Sequence, residues 1–297
     1  MIADPISRFR RFARAVTREV GALDTSFLGR GRPLGAARVI NAIGSGRTDV
    51  AELRTYLGLD SGLMSRLLRS LEEEGLIRTT PHSDDARRRV IALTPAGEHE
   101  FRAYETLSDT RAASFLDRAP NATALLDAMD LIASAFGRDG VAIEEVDPGS
   151  EAARHCLTHY YAELDARFPG GFDVELSCDP DAKDMIRPHG AFFVAMSDGL
   201  PVGCVALKGD GDGSAEIKRL WVDRGARGLG LARRLMAAAE GAAHTLTIHT
   251  LRLDTNRALP EAERFYRAAG WTQIERYNDN PYAEVFFEKS LTPDDVR

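Results

Sequence analysis

The chain has 297 residues, 44% apolar and 28% charged, with a net charge of −7, which excludes a wholly disordered chain and exceeds what one hydrophobic core usually serves, so two units are expected. No stretch approaches the ~18 apolar residues that span a bilayer, and Met1–Pro5 followed by Arg8, Arg10 and Arg11 lacks the apolar core of a signal peptide, so a cytoplasmic protein without membrane contact is expected. Three widely spaced cysteines, Cys156, Cys178 and Cys204, fit reduced thiols and offer no disulfide framework.

Apolar residues Ile6, Phe9, Phe12, Ala13, Val16 and Val20 recur at helical spacing from Asp4 to about Leu28. A Gly-Arg-Gly-Arg-Pro break at 29–33 follows, then a helix at 35–43, a turn at 44–49 and a short helix at 50–57 closed by Gly58. Asp60 or Ser61 can cap the next helix, which buries Leu63, Leu67, Leu68 and Leu71 and stops at Gly75. Strands at 77–79 and 90–93 flank a polar loop at 81–89, a hairpin long enough to be a wing. Pro95 opens a long helix, and a last helix spans 122–136.

Gly137–Gly140 marks the expected junction between domains 1–138 and 139–297, because strands then alternate with helices. Residues 1–138 hold 20 Arg, no Lys and 18 Asp+Glu, net +2, against −9 for the remainder, so the groups suited to phosphate lie in the first half. The second half predicts a strand at 141–146, a helix from Ser150 to Arg167, a hairpin of 191–196 and 202–207, and a strand at 216–222. A glycine-rich turn, a helix to His244, a strand at 250–254, a helix at 260–269 and strands near 271–276 and 283–289 complete it.

The turn after strand 216–222 contains R-x-x-G-x-A as Arg227, Gly230 and Ala232, where backbone N–H groups at a helix start can converge on a pyrophosphate. Here residues 141–289 resemble the GNAT superfamily of N-acetyltransferases, with Leu253-Asp254-Thr255-Asn256 and Phe265-Tyr266 as further landmarks. A dinucleotide-binding fold is the competing phosphate reading, but it wants G-x-G-x-x-G after the first strand of a parallel sheet.

The resemblance implies an α/β GNAT fold with a mixed central sheet, and acetyl-CoA along Leu220, Trp221 and Val222, with its pyrophosphate on Arg227, Gly228, Leu229, Gly230, Leu231 and Ala232 and further contacts from Asn256 and Tyr266. It implies Glu216 as base and Tyr266 as the acid protonating the CoA sulfur; the alternatives are a solvated strand carboxylate and a packing residue. Tyr161, Glu163, Phe168, Phe172, Asp173 and Tyr282 stand where the family builds its acceptor pocket, suited to a small amine or amino acid, or else plug the core. His155 and His159 share a helical face without a third ligand and read as surface histidines, so no metal is expected.

Residues 35–97 resemble the winged helix-turn-helix of the MarR family, with Leu93-Thr94-Pro95-Ala96-Gly97 after the wing. Ser61, Ser65, Arg66 and Arg69 fall away from the leucine stripe and can face a major groove of double-stranded DNA. Asp85 and Arg87 meet the family's D-x-R, with Ala86 in place of a common Arg, and Arg88 adds charge to the wing. Homodimerisation through the terminal helices is implied by the resemblance alone. Two functions are therefore expected: an acetyl-CoA-dependent N-acetyltransferase fused to a DNA-binding domain, or a transcriptional regulator whose GNAT half senses acyl-CoA or a small ligand.

Overall fold

The computed structural model describes residues 4–81, 89–137, 140–176 and 184–291. The chain divides into two compact units, Met1–Ala122 and Thr123–Arg297.

In the first unit α1 (Pro5–Glu19) starts on Asp4, whose carboxylate accepts from the Ser7 N–H. It stops well short of Leu28 because Gly21 turns left-handed at φ +66°. α2 (Leu34–Gly44), α3 (Val50–Leu57) and α4 (Ser61–Glu73) follow, the last capped by Asp60, which accepts from Leu63 N at 2.8 Å. Their apolar faces meet around Val39, Ile40, Leu53, Leu71 and Ile91, all fully buried. On α4 the deepest positions are Met64 and Leu71, with Leu63, Leu67 and Leu68 half buried beside them.

β1 (Ile77–Pro81) and β2 (Arg89–Leu93) form an antiparallel hairpin with Ile77 opposite Leu93. The expected wing arginines Arg87 and Arg88 lie outside the described residues. α5 (Pro95–Asp117) carries the buried Glu100, held by Arg30 Nε at 3.0 Å and Arg32 NH1 at 2.8 Å.

The last helix of the expected first domain, α6 (Ala122–Phe136), falls almost entirely in the second compact unit, which begins at Thr123. A close approach explains this: a Cβ on Gly225 would lie 2.9 Å from the Asp130 carbonyl carbon and the Leu131 nitrogen, so only glycine lets α6 touch that turn. Arg138 and Asp139 are outside the described residues.

The second unit is built on a seven-stranded sheet in the order β3-β4-β5-β6-β7-β9-β8. Its strands are β3 (Ala142–Glu145), β4 (Gly190–Ser197), β5 (Leu200–Gly209), β6 (Ser214–Val222), β7 (Thr250–Thr255), β8 (Thr272–Ile274) and β9 (Val285–Ser290). All neighbours are antiparallel except β6 and β7. α7 (Glu151–Arg167), α8 (Leu231–Thr245) and α9 (Pro260–Ala268) complete it. One face of the sheet buries Leu207, Leu235, Leu251 and Phe287 with α8; the other buries Phe192, Val194 and Trp221 with Cys156 of α7.

Two departures from regular pairing position the site. β6 and β7 pair only at 214–216 with 250–252 and then separate, leaving the rest of that β6 edge without a β7 partner. On its other edge, β6 places both Arg219 and Leu220 opposite the single residue Val205, between the pairs Lys218↔Ala206 and Trp221↔Cys204. This is a β-bulge, and Arg219 takes it up in the left-handed region at φ +57°, a conformation that strains a non-glycine residue.

Candidate active site

A groove and a cavity are lined by β6 residues beyond the point where β6 parts from β7, and the two share Tyr160, Leu164, Leu220, Leu259 and Ala262. The groove, about 1270 Å³ of non-atom space partly open to solvent, runs past Trp221, Val222 and Arg227 to Gly228, Gly230, Leu231, Ala232 and Arg233. Gly230 is the N-cap of α8 and contributes no side chain to cap it. The first N–H groups of α8 therefore lack both intrahelical partners and a capping side chain, and with the helix dipole they suit an anion. Gly228 and Gly230 are left-handed, at φ +78° and +83°, and nothing lies within 4 Å of where their Cβ atoms would be. An acyl-CoA fits this donor set: phosphates at the α8 start and Arg227, and a chain beside the β6 edge that β7 has left.

The cavity, about 880 Å³ of non-atom space, is walled by Tyr161, Phe168, Phe172 and Tyr282, with Lys218, Arg219, Asp254 and Tyr266 on its remaining sides. Phe172 is the hub of the wall, its ring 4.7 Å from Tyr282 and 5.7 Å from Tyr161 between centroids. Asp254 accepts from Lys218 Nζ at 2.7 Å, Asn278 Nδ2 at 2.8 Å and Asn280 Nδ2 at 2.9 Å. Lys218 also pairs with Glu216 at 3.2 Å. Burial works against the Lys218 ammonium, but the Asp254 and Glu216 carboxylates outweigh it and raise its pKa. Burial, reinforced by the charge on Asp254, pushes the Tyr266 hydroxyl far above its usual range; burial does the same for Tyr160, helped by Tyr266 and Asp254.

The residues expected at the site fall into distinct places. Tyr161, Phe168, Phe172 and Tyr282 line the cavity together; Glu163 faces the groove instead, accepting from Trp221 Nε1 at 3.1 Å and Arg227 at 2.5 Å. Asp173 does not line either space: its N–H donates to the Tyr282 hydroxyl at 2.8 Å and its carboxylate caps the next turn. Glu216 stands behind the cavity wall on Lys218 and Asn278. Leu229 does not line the groove, while Leu220, Trp221, Val222, Arg227, Gly228, Gly230, Leu231 and Ala232 do. Asn256 and Tyr266 line the cavity, and the Asn256 amide braces the loop by donating to Tyr282 O and accepting from Ala258 N, each at 2.8 Å. The sequence pattern did not single out Lys218 and Arg219, which also line the cavity; a Lys-Arg pair inside an apolar strand is the signal that could have found them.

In the first unit Ser61, Ser65, Arg66 and Arg69 all lie exposed on α4. In the second, the exposed His155 and His159 rings lie 4.3 Å apart, and His159 stacks on Trp221 at 5.8 Å.

A splayed mixed sheet with an uncapped, glycine-led helix at the split is an arrangement suited to holding an acyl-CoA. The chain matches the acetyltransferase (GNAT) family over residues 145–271 and the MarR family over residues 30–88. An uncharacterised N-acetyltransferase of Schizosaccharomyces pombe is 35% identical over 102 residues, 34% of this chain and 63% of that protein's length. An IAA acetyltransferase of Azospirillum brasilense is 31% identical over 133 residues, 43% of this chain and 86% of its own. A solved GNAT acetyltransferase from Staphylococcus aureus Mu50 shares 18% identity, with a TM-score of 0.46 over 51% of this chain and 99% of that one. The chain belongs to the GNAT acetyltransferase family through its second half, and residues 30–88 of its first half are similar to the MarR family. Among the described residues no helix is long and apolar enough to cross a membrane.

Proposed function

We propose that the second unit transfers an acetyl group from acetyl-CoA to the amine of a small acceptor or amino acid. The observation that carries this reading is the meeting of an anion-suited groove and an aromatic cavity at Tyr160, Leu164, Leu220, Leu259 and Ala262. Both relatives are named acetyltransferases, which supports acetyl as the group transferred.

Acetyl-CoA, when bound, supplies an activated acyl carbon. Arg227 and the first N–H groups of α8 hold the anionic end, and a backbone N–H of Leu220 or Val222 polarises the acyl carbonyl. Tyr266 keeps its proton at neutral pH because burial disfavours the phenolate, so it is able to protonate the departing sulfur. In this reading Glu216, behind Lys218, takes the amine's proton through solvent. The test is thiol release from acetyl-CoA by the full-length protein across small amines and amino acids, with the acetylated product identified by mass. Turnover of any member supports the reading; acetyl-CoA binding without turnover on any member contradicts it.

The first unit, in the same proposal, binds double-stranded DNA with Ser61, Ser65, Arg66 and Arg69, and the protein acts as a homodimer. Their exposure on one helix supports the first part. Apolar side chains left exposed on the terminal helices, Ile6 at 63% and Phe9 at 58% on α1 and Phe136 at 68% on α6, support the second.

A further inference from the structure

We propose that Tyr160 of α7 is a further catalytic residue, a second hydroxyl that donates a hydrogen bond to the CoA sulfur as the acyl–sulfur bond breaks. This role rests on the acetyltransferase reading above and adds a donor beside the acid Tyr266.

With CoA in the groove and the acceptor in the cavity, the acyl group sits where the two spaces meet, among Tyr160, Leu164, Leu220, Leu259 and Ala262. Four of these five side chains are hydrocarbon, and Tyr160 alone among them has a proton to offer. A thiolate leaving into such surroundings is costly unless a donor reaches it. Tyr266 lines the cavity and not the groove, so it meets the sulfur from the acceptor side. Tyr160 lines both spaces, and so also borders the side on which the pantetheine chain remains.

Two helices supply the two hydroxyls. Tyr160 and Leu164 stand one turn apart on α7, and Ala262 and Tyr266 one turn apart on α9, so each helix brings to the junction one hydrocarbon side chain and one hydroxyl in reach of it. The Tyr160 ring packs 5.4 Å from that of Tyr161, which holds its direction. No described residue hydrogen-bonds either hydroxyl, and both stay protonated at neutral pH, so both have a proton to donate. As the acceptor nitrogen bonds the acyl carbon, the carbon–sulfur electron pair passes to sulfur. Tyr266 gives its proton to that sulfur and recovers one from solvent, while Tyr160 keeps its proton and donates throughout.

No acceptor is needed to test this. Full-length protein saturated with CoA is titrated by the ultraviolet absorbance of the thiolate, as the difference from ligand-free protein, with free CoA in the same buffer as reference. Tyr160→Phe should raise the pKa of the bound thiol by about one pH unit, the tenfold effect of one hydrogen bond to a charged group. On any amine the enzyme accepts, it should lower kcat about tenfold and leave the acetyl-CoA KM within about twofold. A packing role would change the KM and leave the thiol where it was. An unchanged thiol pKa, or an unchanged kcat, would overturn the proposal. Should Tyr160→Phe not fold, Tyr266→Phe decides, because Tyr160 is then the donor left at the junction: a bound thiol more acidic than free CoA supports the role, and one equally or less acidic overturns it. Failure to bind CoA and acetyl-CoA at all, measured by calorimetry, would instead overturn the acetyltransferase reading itself.

Discussion

Glu163 of α7 holds Arg227 of the glycine-rich turn: the guanidinium NH2 donates to Glu163 Oε2 at 2.5 Å while its Nε donates to Val222 O at 2.9 Å. These two bonds hold the candidate phosphate-binding arginine against the wall of the groove. Arg167 extends the link, bonding Glu163 at 3.2 Å and also Glu261 at the start of α9.

An arginine that serves only to bind should affect affinity and not chemistry. Arg227→Ala is expected to raise the acetyl-CoA KM about tenfold, the worth of one charge-assisted contact, with kcat within about twofold. Initial-rate kinetics at saturating acceptor check this; a loss confined to kcat would place Arg227 elsewhere in the mechanism.

Tyr266→Phe should do the reverse. Removing a general acid is expected to lower kcat about 100-fold and leave the acetyl-CoA KM nearly unchanged. The sign of the pH dependence follows from burial: the Tyr266 pKa is raised, so the hydroxyl stays protonated through the assay range. Wild-type kcat should therefore show no alkaline fall between pH 7 and about pH 9.5, where an unshifted tyrosine would begin to ionise. A pH–rate profile with a descending limb centred near pH 8 would remove Tyr266 as the acid.

Much of the fold was legible because local signals agreed with tertiary ones. Asp60 before a stripe of Leu63, Leu67, Leu68 and Leu71 marks α4, although Met64 and Leu71 are its deepest positions, and Arg227, Gly230 and Ala232 mark the turn into α8. The reading failed where a single backbone conformation decides. Gly21 ends α1 early, although Ile6, Phe9 and Val16 gave no hint of a stop before Leu28. A period of two along β6 hides that Lys218 and Arg219 share a cavity, because the bulge that turns them together is a property of the pairing with Val205. The position of Asp254 beside Lys218 likewise depends on β6 and β7 pairing in parallel across 36 residues of sequence.

Glu100 gives the first unit a pH dependence of its own. Its hydrogen bond from Arg30 outweighs burial, and with Arg32 it holds the carboxylate below its usual range. A depressed carboxylate contributes stability that is present above the unfolded-state pKa and is lost as pH falls through the lower folded value. Glu100→Gln is expected to cost about 1–3 kcal/mol at pH 7, discounted because Arg30 is partly exposed. Urea unfolding at pH 7 and pH 3.5 tests this: the difference from wild type should shrink in acid, and a constant difference would rule out ionisation as its source.

On α4, Arg66→Ala and Arg69→Ala should each reduce the slope of log affinity against log salt by about 0.9 if each neutralises one phosphate. Titrations of a duplex carrying an operator-like palindrome between 50 and 200 mM salt would show it. Unchanged slopes would remove these residues from the DNA contact.

A crystal structure of the full-length protein with acetyl-CoA would test the assignment of groove and cavity most directly. Pantetheine is expected along β6 where β7 leaves it, the pyrophosphate at Gly228–Ala232 with Arg227 turned from Glu163 toward it, and the thioester beside Leu220. Acetyl-CoA seated away from the β6–β7 split would contradict it.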